Sequence, residues 1–277
     1  MAGQQPQSIT SQGCPTASTF TGMEQMLSVG QGRDQVWCED SGGDRPALLL
    51  LHSGVADSTL YDDIWAGLAV RSRAIRFDYR AYGRSPIATE EWSVVGDALA
   101  VLDNLGVSRA HVVGTSMGGG GALDLAVLHP DRVASLTLLC PGVSGSTWPD
   151  DPVTDKEFEA ADGDPAAITI MLARLWAAAG QEPRVMDLIR GAVQAMPNDD
   201  EFEIKAPPTY DRLSEIAVPV TMVIGGRDYP GLVAADHAAA ARIPGCRVVE
   251  LPDVDHYPSI REPQTILHLI LDTASLT

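Results

Sequence analysis

A serine set between glycines is the feature that most restricts what this 277-residue chain can fold into. A β-branched apolar run ending at Val113 leads into Gly114-Thr115-Ser116-Met117-Gly118, and an alanine- and leucine-containing segment follows. The pattern predicts a strand, a sharp turn and a helix. A serine on so tight a turn adopts φ and ψ values that most residues avoid, and Gly114 and Gly118 leave room because they lack a Cβ. The Ser116 hydroxyl is then exposed beside a helix N-terminus, which stabilises negative charge.

The five-residue match alone is a weak signal, because glycine and serine are common in turns of every kind. Its context decides whether Ser116 is a nucleophile. The turn must lie between a strand and a helix, and the chain must supply an acid and a histidine farther on.

The rest of the chain alternates between predicted strands and predicted helices. Continuous apolar runs predict buried strands, and apolar residues at helical spacing predict helices on the sheet faces. The strands are predicted at 47–52, 73–78, 110–115, 133–140, 218–224 and 247–251, the helices at 61–70, 90–105, 232–242 and 264–272, and an edge hairpin at 25–29 and 35–40. The alternation predicts an α/β fold with a mainly parallel central sheet flanked by helices.

Between residues 143 and 215 the alternation stops. This stretch is acidic, has helical patterns around 168–179 and 184–196, is interrupted by prolines and contains no clear strand. We interpret 143–215 as a helical lid inserted into one core domain, whose two parts are 25–142 and 216–277. Residues 1–24 are rich in Gln, Ser, Thr and Gly without a basic or apolar signal segment, so we expect disorder and no secretory signal.

Composition excludes several classes of partner. The formal charge of −18 repels phosphate backbones and anionic membranes, so we predict neither nucleic-acid nor membrane binding. The four cysteines are dispersed without zinc spacing and are typical of reduced thiols in a cytoplasmic protein. The chain has no dinucleotide fingerprint, and its run of glycines lacks the Lys-Ser/Thr of a phosphate loop, so we predict no cofactor and no metal.

A nucleophilic serine needs a base within hydrogen-bond reach and an acid that holds the base in one tautomer. The carboxyl ends of parallel strands share one rim, and His256 follows the last strand there. We assign structural roles to the five other histidines, at 52, 111, 129, 237 and 268. Asp228, one strand earlier, is the predicted acid. Asp253 and Asp255 are rivals, but neighbours in an extended chain point to opposite sides.

At this point the chain resembles the α/β-hydrolase family, from about residue 25 to its end. The resemblance is carried by the turn at 114–118, His52-Ser53-Gly54, the segment Asp78-Tyr79-Arg80-Ala81-Tyr82-Gly83-Arg84-Ser85, Asp228 after Gly-Gly, and His256 before Glu262-Pro263. It implies a catalytic triad of Ser116, Asp228 and His256. It also implies an oxyanion hole formed by the N–H groups of Met117 and Gly54, with Val55 as the alternative to Gly54. We expect Val55, Thr115, Tyr229 and Tyr257 to contact the substrate.

Three positions depart from the family pattern. Ser53, Ala81 and Asp255 stand where family members usually have glycine. Ala81 would stiffen a turn. A carboxylate at Asp255 would favour the imidazolium form of His256 and raise its pKa, and aspartate tolerates the expected backbone conformation less well than glycine does.

The leading hypothesis is a serine hydrolase that cleaves a small to medium, mainly apolar carboxylic ester or lactone through an acyl-enzyme, with the lid setting substrate fit. Two alternatives stay open. The same triad could serve carbon–carbon bond hydrolysis, perhydrolysis or acyl transfer. The chain could also be a non-hydrolytic ligand-binding or cyclase member of the fold.

Overall fold

The strands of the computed structural model, which describes residues 22–147 and 151–276, form one sheet of eight strands in the order β1-β2-β4-β3-β5-β6-β7-β8. The strands are β1 (Met23–Val29), β2 (Asp34–Asp40), β3 (Ala47–Leu51), β4 (Arg73–Phe77), β5 (Ala110–Thr115), β6 (Val133–Leu139), β7 (Val220–Gly225) and β8 (Arg247–Leu251). β1 and β2 form the predicted antiparallel hairpin at the edge, β2 pairs antiparallel with β4, and the other neighbours are parallel. The predicted α/β-hydrolase architecture is confirmed.

The central strands are buried on both faces, which explains their continuous apolar sequences. Leu49 and Leu51 of β3 pack into one apolar cluster, and Leu48 and Leu50 pack into the other. Successive side chains of a strand point to opposite faces, so a strand covered on both sides must be apolar throughout. The carboxyl ends of these strands form the rim where the candidate site lies.

The helices cover both faces of this sheet. They are α1 (Asp62–Arg71), α2 (Val94–Asn104), α3 (Met117–Leu128), α4 (Pro152–Ala161), α5 (Pro165–Trp176), α6 (Pro183–Phe202), α7 (Pro230–Ala240), α8 (Pro258–Arg261) and α9 (Pro263–Thr273). α2 begins four residues later than predicted, because Ser93 caps it by accepting a hydrogen bond from the Gly96 N–H, while the Trp92 N–H donates to the Phe202 carbonyl.

The region predicted as a lid contains α4, α5 and α6, and no strand lies in its described part, residues 143–147 and 151–215. Each of these helices begins at a proline preceded by an acidic residue. Asp151 and Asp164 accept N-terminal N–H hydrogen bonds, and proline fits the first helical position because that position needs no N–H donor. α6 continues through Pro197, where we expected a break.

Two further expectations concern the N-terminal segment and contact with a membrane. The predicted disorder of residues 1–24 lies outside the described residues except at 22–24, and there it is wrong for Met23 and Glu24, which belong to β1. Within the described part of the chain, no helix has the length and apolar character needed to cross a bilayer.

Candidate active site

Ser116 occupies the strained turn that the sequence predicts. It lies between β5 and α3 with φ 54° and ψ −116°, a conformation that costs about 1–3 kcal/mol for a residue with a side chain. Gly114 and Gly118 are required by close backbone approach. A Cβ on Gly114 would lie 2.2 Å from the Gly118 carbonyl oxygen, and one on Gly118 would lie 2.2 Å from that of Leu51. The half-buried Ser116 therefore stands on a turn that tolerates no larger neighbours.

Asp228 and His256 form a buried pair at the ends of β7 and β8. Nδ1 of His256 lies 2.7 Å from Oδ2 of Asp228, and both side chains are 1% exposed. An ionised carboxylate can only accept, so Nδ1 carries the proton and Nε2 of a neutral ring keeps its lone pair. Among the described residues Nε2 is buried without a hydrogen-bond partner. The ring is thus held in the tautomer of a general base.

The strand end at β6 connects Ser116 with this pair. The Ser116 N–H donates to the Leu139 carbonyl at 3.0 Å, and the next residue, Cys140, has its Sγ within 4.8 Å of ligand atoms of Asp228 and His256. The Gly142 N–H donates to the Ser116 carbonyl at 3.0 Å. Ser116 and the acid–histidine pair therefore flank the same short segment, residues 139–142.

The two residues predicted to donate to the oxyanion, Gly54 and Met117, are neighbours in the structure. A Cβ built on Gly54 would lie 3.4 Å from Sδ of Met117, and Met117 is the first residue of α3, where an N–H has no intrahelical acceptor. The Val55 N–H donates to Oγ of Ser53 at 3.2 Å, so this alternative donor is already engaged. The serine in place of the family's glycine thus organises the loop and favours Gly54 over Val55.

The residues predicted to contact substrate have different surroundings. Thr115 is fully buried and its hydroxyl lies 2.9 Å from that of Tyr61, so its side chain serves the core. Tyr257 is also buried and donates to the Val55 carbonyl at 3.1 Å, which joins the histidine loop to the Gly54 loop. Tyr229 donates to Asp151 at 3.2 Å and so contacts the start of α4.

Asp255 has partners that the sequence did not indicate. Its carboxylate is fully buried and accepts from Nε and Nη2 of Arg261 at 3.0 and 2.9 Å and from the Ala179 N–H at 2.8 Å. Its charge is paired with a guanidinium instead of the imidazole. The expected backbone penalty is wrong, because Asp255 is not among the described residues with positive φ.

His52, interpreted as structural, is fully buried with both ring nitrogens engaged. Nδ1 lies 2.8 Å from the Ser53 carbonyl, and Nε2 accepts from the Tyr79 N–H at 2.9 Å. Burial lowers the pKa of this ring, so the ring stays neutral. Its two hydrogen bonds fix the start of the Gly54 loop.

Sequence reasoning missed two residues beside the pair. The Trp176 ring lies 4.4 Å from the His256 ring, centroid to centroid, and its carbonyl accepts from the His256 N–H at 3.3 Å. Cys140 completes a set of three possible metal ligands with Asp228 and His256. That set is a poor metal site, because burial raises the pKa of the Cys140 thiol well above its usual range and a metal requires the thiolate.

A cavity of about 610 Å³ borders Met117. Its walls come from α2, α3 and the two ends of the predicted lid, and they combine apolar residues with the charged residues Asp124, Glu203 and Lys205. Lining residues include Val94, Val95, Gly121, Val143, Ile204 and Lys205. Its size falls in the range of small-molecule sites.

Comparison with known proteins identifies the family. A model of the α/β hydrolase fold matches residues 46–263, so the chain belongs to that family. The structure of the enol-lactonase from Burkholderia xenovorans LB400 is similar, with a TM-score of 0.73 over 91% of this chain and 100% of that chain at 22% identity. At this identity the likeness shows the shared fold.

Two curated relatives have named activities. The chain is 33% identical over 116 residues to the 2-hydroxy-6-oxo-6-phenylhexa-2,4-dienoate hydrolase of Burkholderia cepacia, a match over 39% of this chain and only 41% of that protein. It is 29% identical over 253 residues to the pimeloyl-[acyl-carrier protein] methyl ester esterase of Methylococcus capsulatus, covering 83% of this chain and 95% of that protein.

Proposed function

We propose that this protein is a serine hydrolase that cleaves a small to medium, mainly apolar carboxylic ester or lactone. The observation that carries the proposal is the buried Asp228–His256 pair, 2.7 Å apart, whose Nε2 has no partner among the described residues. A strained serine at a helix N-terminus supplies the nucleophile. The methyl ester esterase and the enol-lactonase among the similar proteins support an ester or lactone substrate.

The proposed reaction has two halves. Nε2 of His256 takes the proton of the Ser116 hydroxyl while Oγ attacks the substrate carbonyl carbon, and the N–H groups of Met117 and Gly54 hold the resulting oxyanion. The intermediate collapses when His256 returns the proton to the leaving alkoxide, leaving an acyl-enzyme. Water, activated by the same nitrogen, then releases the acid and restores Ser116.

The cavity beside Met117 is the proposed place for the apolar part of the substrate. It adjoins one oxyanion donor, and its volume of about 610 Å³ suits a small to medium ligand. Because residues 143–145, 203–206 and 208 line it, the predicted lid region would control substrate fit.

The first prediction tests the nucleophile. We expect Ser116→Ala to lose nearly all hydrolysis of p-nitrophenyl esters and lactones, a fall of at least ~10³-fold in kcat, with an unchanged circular dichroism spectrum. A fluorophosphonate should label wild type at Ser116. Ser28→Ala, at an exposed strand position, is the matched control and should keep full activity. Unchanged turnover in Ser116→Ala would contradict the mechanism.

Carbon–carbon bond hydrolysis is the second candidate, because the Burkholderia cepacia relative is a hydrolase of a dienoate substrate. Product analysis with a vinylogous diketone, with peroxide and with alcohol acceptors separates this reaction from perhydrolysis and acyl transfer. Tight ligand binding without labelling of Ser116 would instead favour a non-hydrolytic member of the fold.

A further inference from the structure

Tyr82 joins the lid helix α6 to the loop that carries Gly54. Its hydroxyl lies 2.5 Å from Oδ2 of Asp199, on α6, and 3.4 Å from the Gly54 carbonyl oxygen. The Tyr82 side chain is 2% exposed and its ring lies 5.2 Å from that of His52. The phenol is therefore fixed between a carboxyl group and a backbone carbonyl, both of which can accept its proton.

A phenol has one proton and cannot donate fully to both groups. The contact with Asp199 has the length of a strong O–H···O hydrogen bond, whereas the contact with Gly54 exceeds the usual range of about 2.5–3.0 Å. These lengths indicate that the proton points to Asp199 while its carboxylate accepts. The Gly54 carbonyl is then held only weakly.

Asp199 is placed to change its charge near neutrality. Its Oδ1 is buried and has no hydrogen-bond partner among the described residues. The pKa of Asp199 is raised to about 7, chiefly by burial. The hydrogen bond from Tyr82 and the charge of Lys205 lower this pKa, whereas the negative charges of Glu203 and Asp200 raise it. These groups lie on α6, on the segment after it and on the Tyr82 loop.

We propose that Tyr82 and Asp199 are a proton-dependent positioning pair for Gly54. Neutral Asp199 donates its own proton to the Tyr82 oxygen, and the Tyr82 hydroxyl is then free to donate to the Gly54 carbonyl. Ionised Asp199 draws the Tyr82 proton back. The Gly54 carbonyl lies in the rigid peptide plane that follows Gly54, and the Gly54 N–H lies in the plane that precedes it. Only the φ and ψ torsions of Gly54 separate the two planes, so fixing the carbonyl restricts the directions that the Gly54 N–H can take.

This inference rests on the proposed function, in which the Gly54 N–H holds the oxyanion. It predicts that kcat falls as Asp199 ionises above about pH 7, the opposite sign to the limb given by a histidine base. The added negative charge near the oxyanion acts in the same direction. KM should change little, because the oxyanion exists only in the transition state and its intermediates.

The test compares three variants with wild type, using p-nitrophenyl butyrate from about pH 6 to about pH 9. Asp199→Asn should abolish the alkaline decline of kcat, because neither orientation of the amide carries a titrating proton. Tyr82→Phe should abolish it too and lower kcat at low pH by about tenfold, the effect of one hydrogen bond. Asp200→Asn removes the same charge from the next, exposed residue of α6 and should keep the alkaline decline, with its midpoint slightly lower because Asp200 helps to raise the pKa of Asp199.

Fluorophosphonate labelling of the same samples separates the two proposals. If Ser116 is labelled but Asp199→Asn keeps the wild-type decline, the positioning pair is overturned and the hydrolase stands. An equal loss of the decline in Asp200→Asn would also overturn the pair. If wild-type Ser116 is not labelled, both proposals fall. Circular dichroism checks each fold, and Asp199→Asn alone decides the matter if Tyr82→Phe does not fold.

Discussion

Ala81 adopts a strained backbone conformation at a position where family members usually have glycine. It adopts φ 70°, a left-handed conformation in which a Cβ is unfavourable, and its N–H donates to the Pro86 carbonyl at 2.7 Å. The sequence identified this departure, and the structure locates its strain at the turn before Tyr82. Alanine here reduces the freedom of the unfolded chain, which offsets part of that strain.

The second prediction follows from this geometry. Ala81→Gly should raise the free energy of unfolding by about 0.5–1 kcal/mol, because relief of the left-handed strain exceeds the added entropy of glycine in the unfolded chain. Urea unfolding followed by fluorescence measures the change. Ala100→Gly, at a helical position within α2, is the control and should destabilise by about 1 kcal/mol. Destabilisation by Ala81→Gly would contradict the interpretation.

At the scale of elements, the connector between α5 and α6 is tied to the histidine loop. Arg261 donates to Asp255 and to the Gly180 carbonyl, the latter at 2.6 Å, and forms an ion pair with Glu182. The Ala179 N–H donates to Asp255 at 2.8 Å. Asp255, which stands where the family usually has glycine, thus ties the predicted lid to the loop that carries His256.

The third prediction concerns this ion pair. Arg261→Met should lower the free energy of unfolding by about 3–5 kcal/mol, because it leaves the fully buried Asp255 carboxylate unpaired. The double variant with Asp255→Gly should recover part of the loss, since it removes the orphaned charge. Urea titrations of both give the values.

A surface ion pair provides the control for Arg261. Arg190→Met breaks an exposed pair with Asp187 on α6 and should change stability by no more than about 0.5 kcal/mol. If the double variant were no more stable than Arg261→Met, the orphaned carboxylate would not be the cause.

The sequence predicted the strands of the core well, because burial on both faces forces continuous apolar runs such as 47–51. It placed the start of α2 too early because Trp92, just before that helix, pairs with Phe202 in a distant part of the chain. The same distinction between local and distant interactions applies to the candidate site. The Ser116 turn has a local signature, whereas Tyr82 and Asp199 meet across 117 positions and Trp176 reaches His256 from the lid region. A local sequence pattern does not predict contacts between residues so far apart in the chain.

For the whole molecule, buried carboxyl groups link stability to pH. Asp236 on α7 is 1% exposed, and burial followed by the negative charge of Asp228 raises its pKa to about 9. The folded state therefore holds a proton that the unfolded chain releases near pH 4. Stability conferred by neutral Asp236 is complete at low pH and is lost as pH rises toward about 9.

The fourth prediction uses this linkage. Wild type should lose about 1 kcal/mol of stability per pH unit through Asp236 between about pH 5.5 and about pH 8.5, and Asp236→Asn should lose less, since it has no proton to release. Urea unfolding at both pH values measures the slopes. Asp253→Asn, an exposed acid in the loop after β8, should keep the wild-type slope. Parallel slopes for wild type and Asp236→Asn would contradict the assignment.

The glycine run that begins α3 has a consequence for how the protein is made. Glycines 118–121 would, with side chains, collide with Leu51, Pro141, Gly142 and Val94 in turn, so segments far apart in sequence close around this first helical turn. Each glycine also weakens an isolated helix by about 1 kcal/mol relative to alanine. The turn that presents Ser116 is therefore stable only after these segments have docked. We therefore expect that a chain still leaving the ribosome lacks the Ser116 turn, and that the proposed nucleophile forms only together with the completed core.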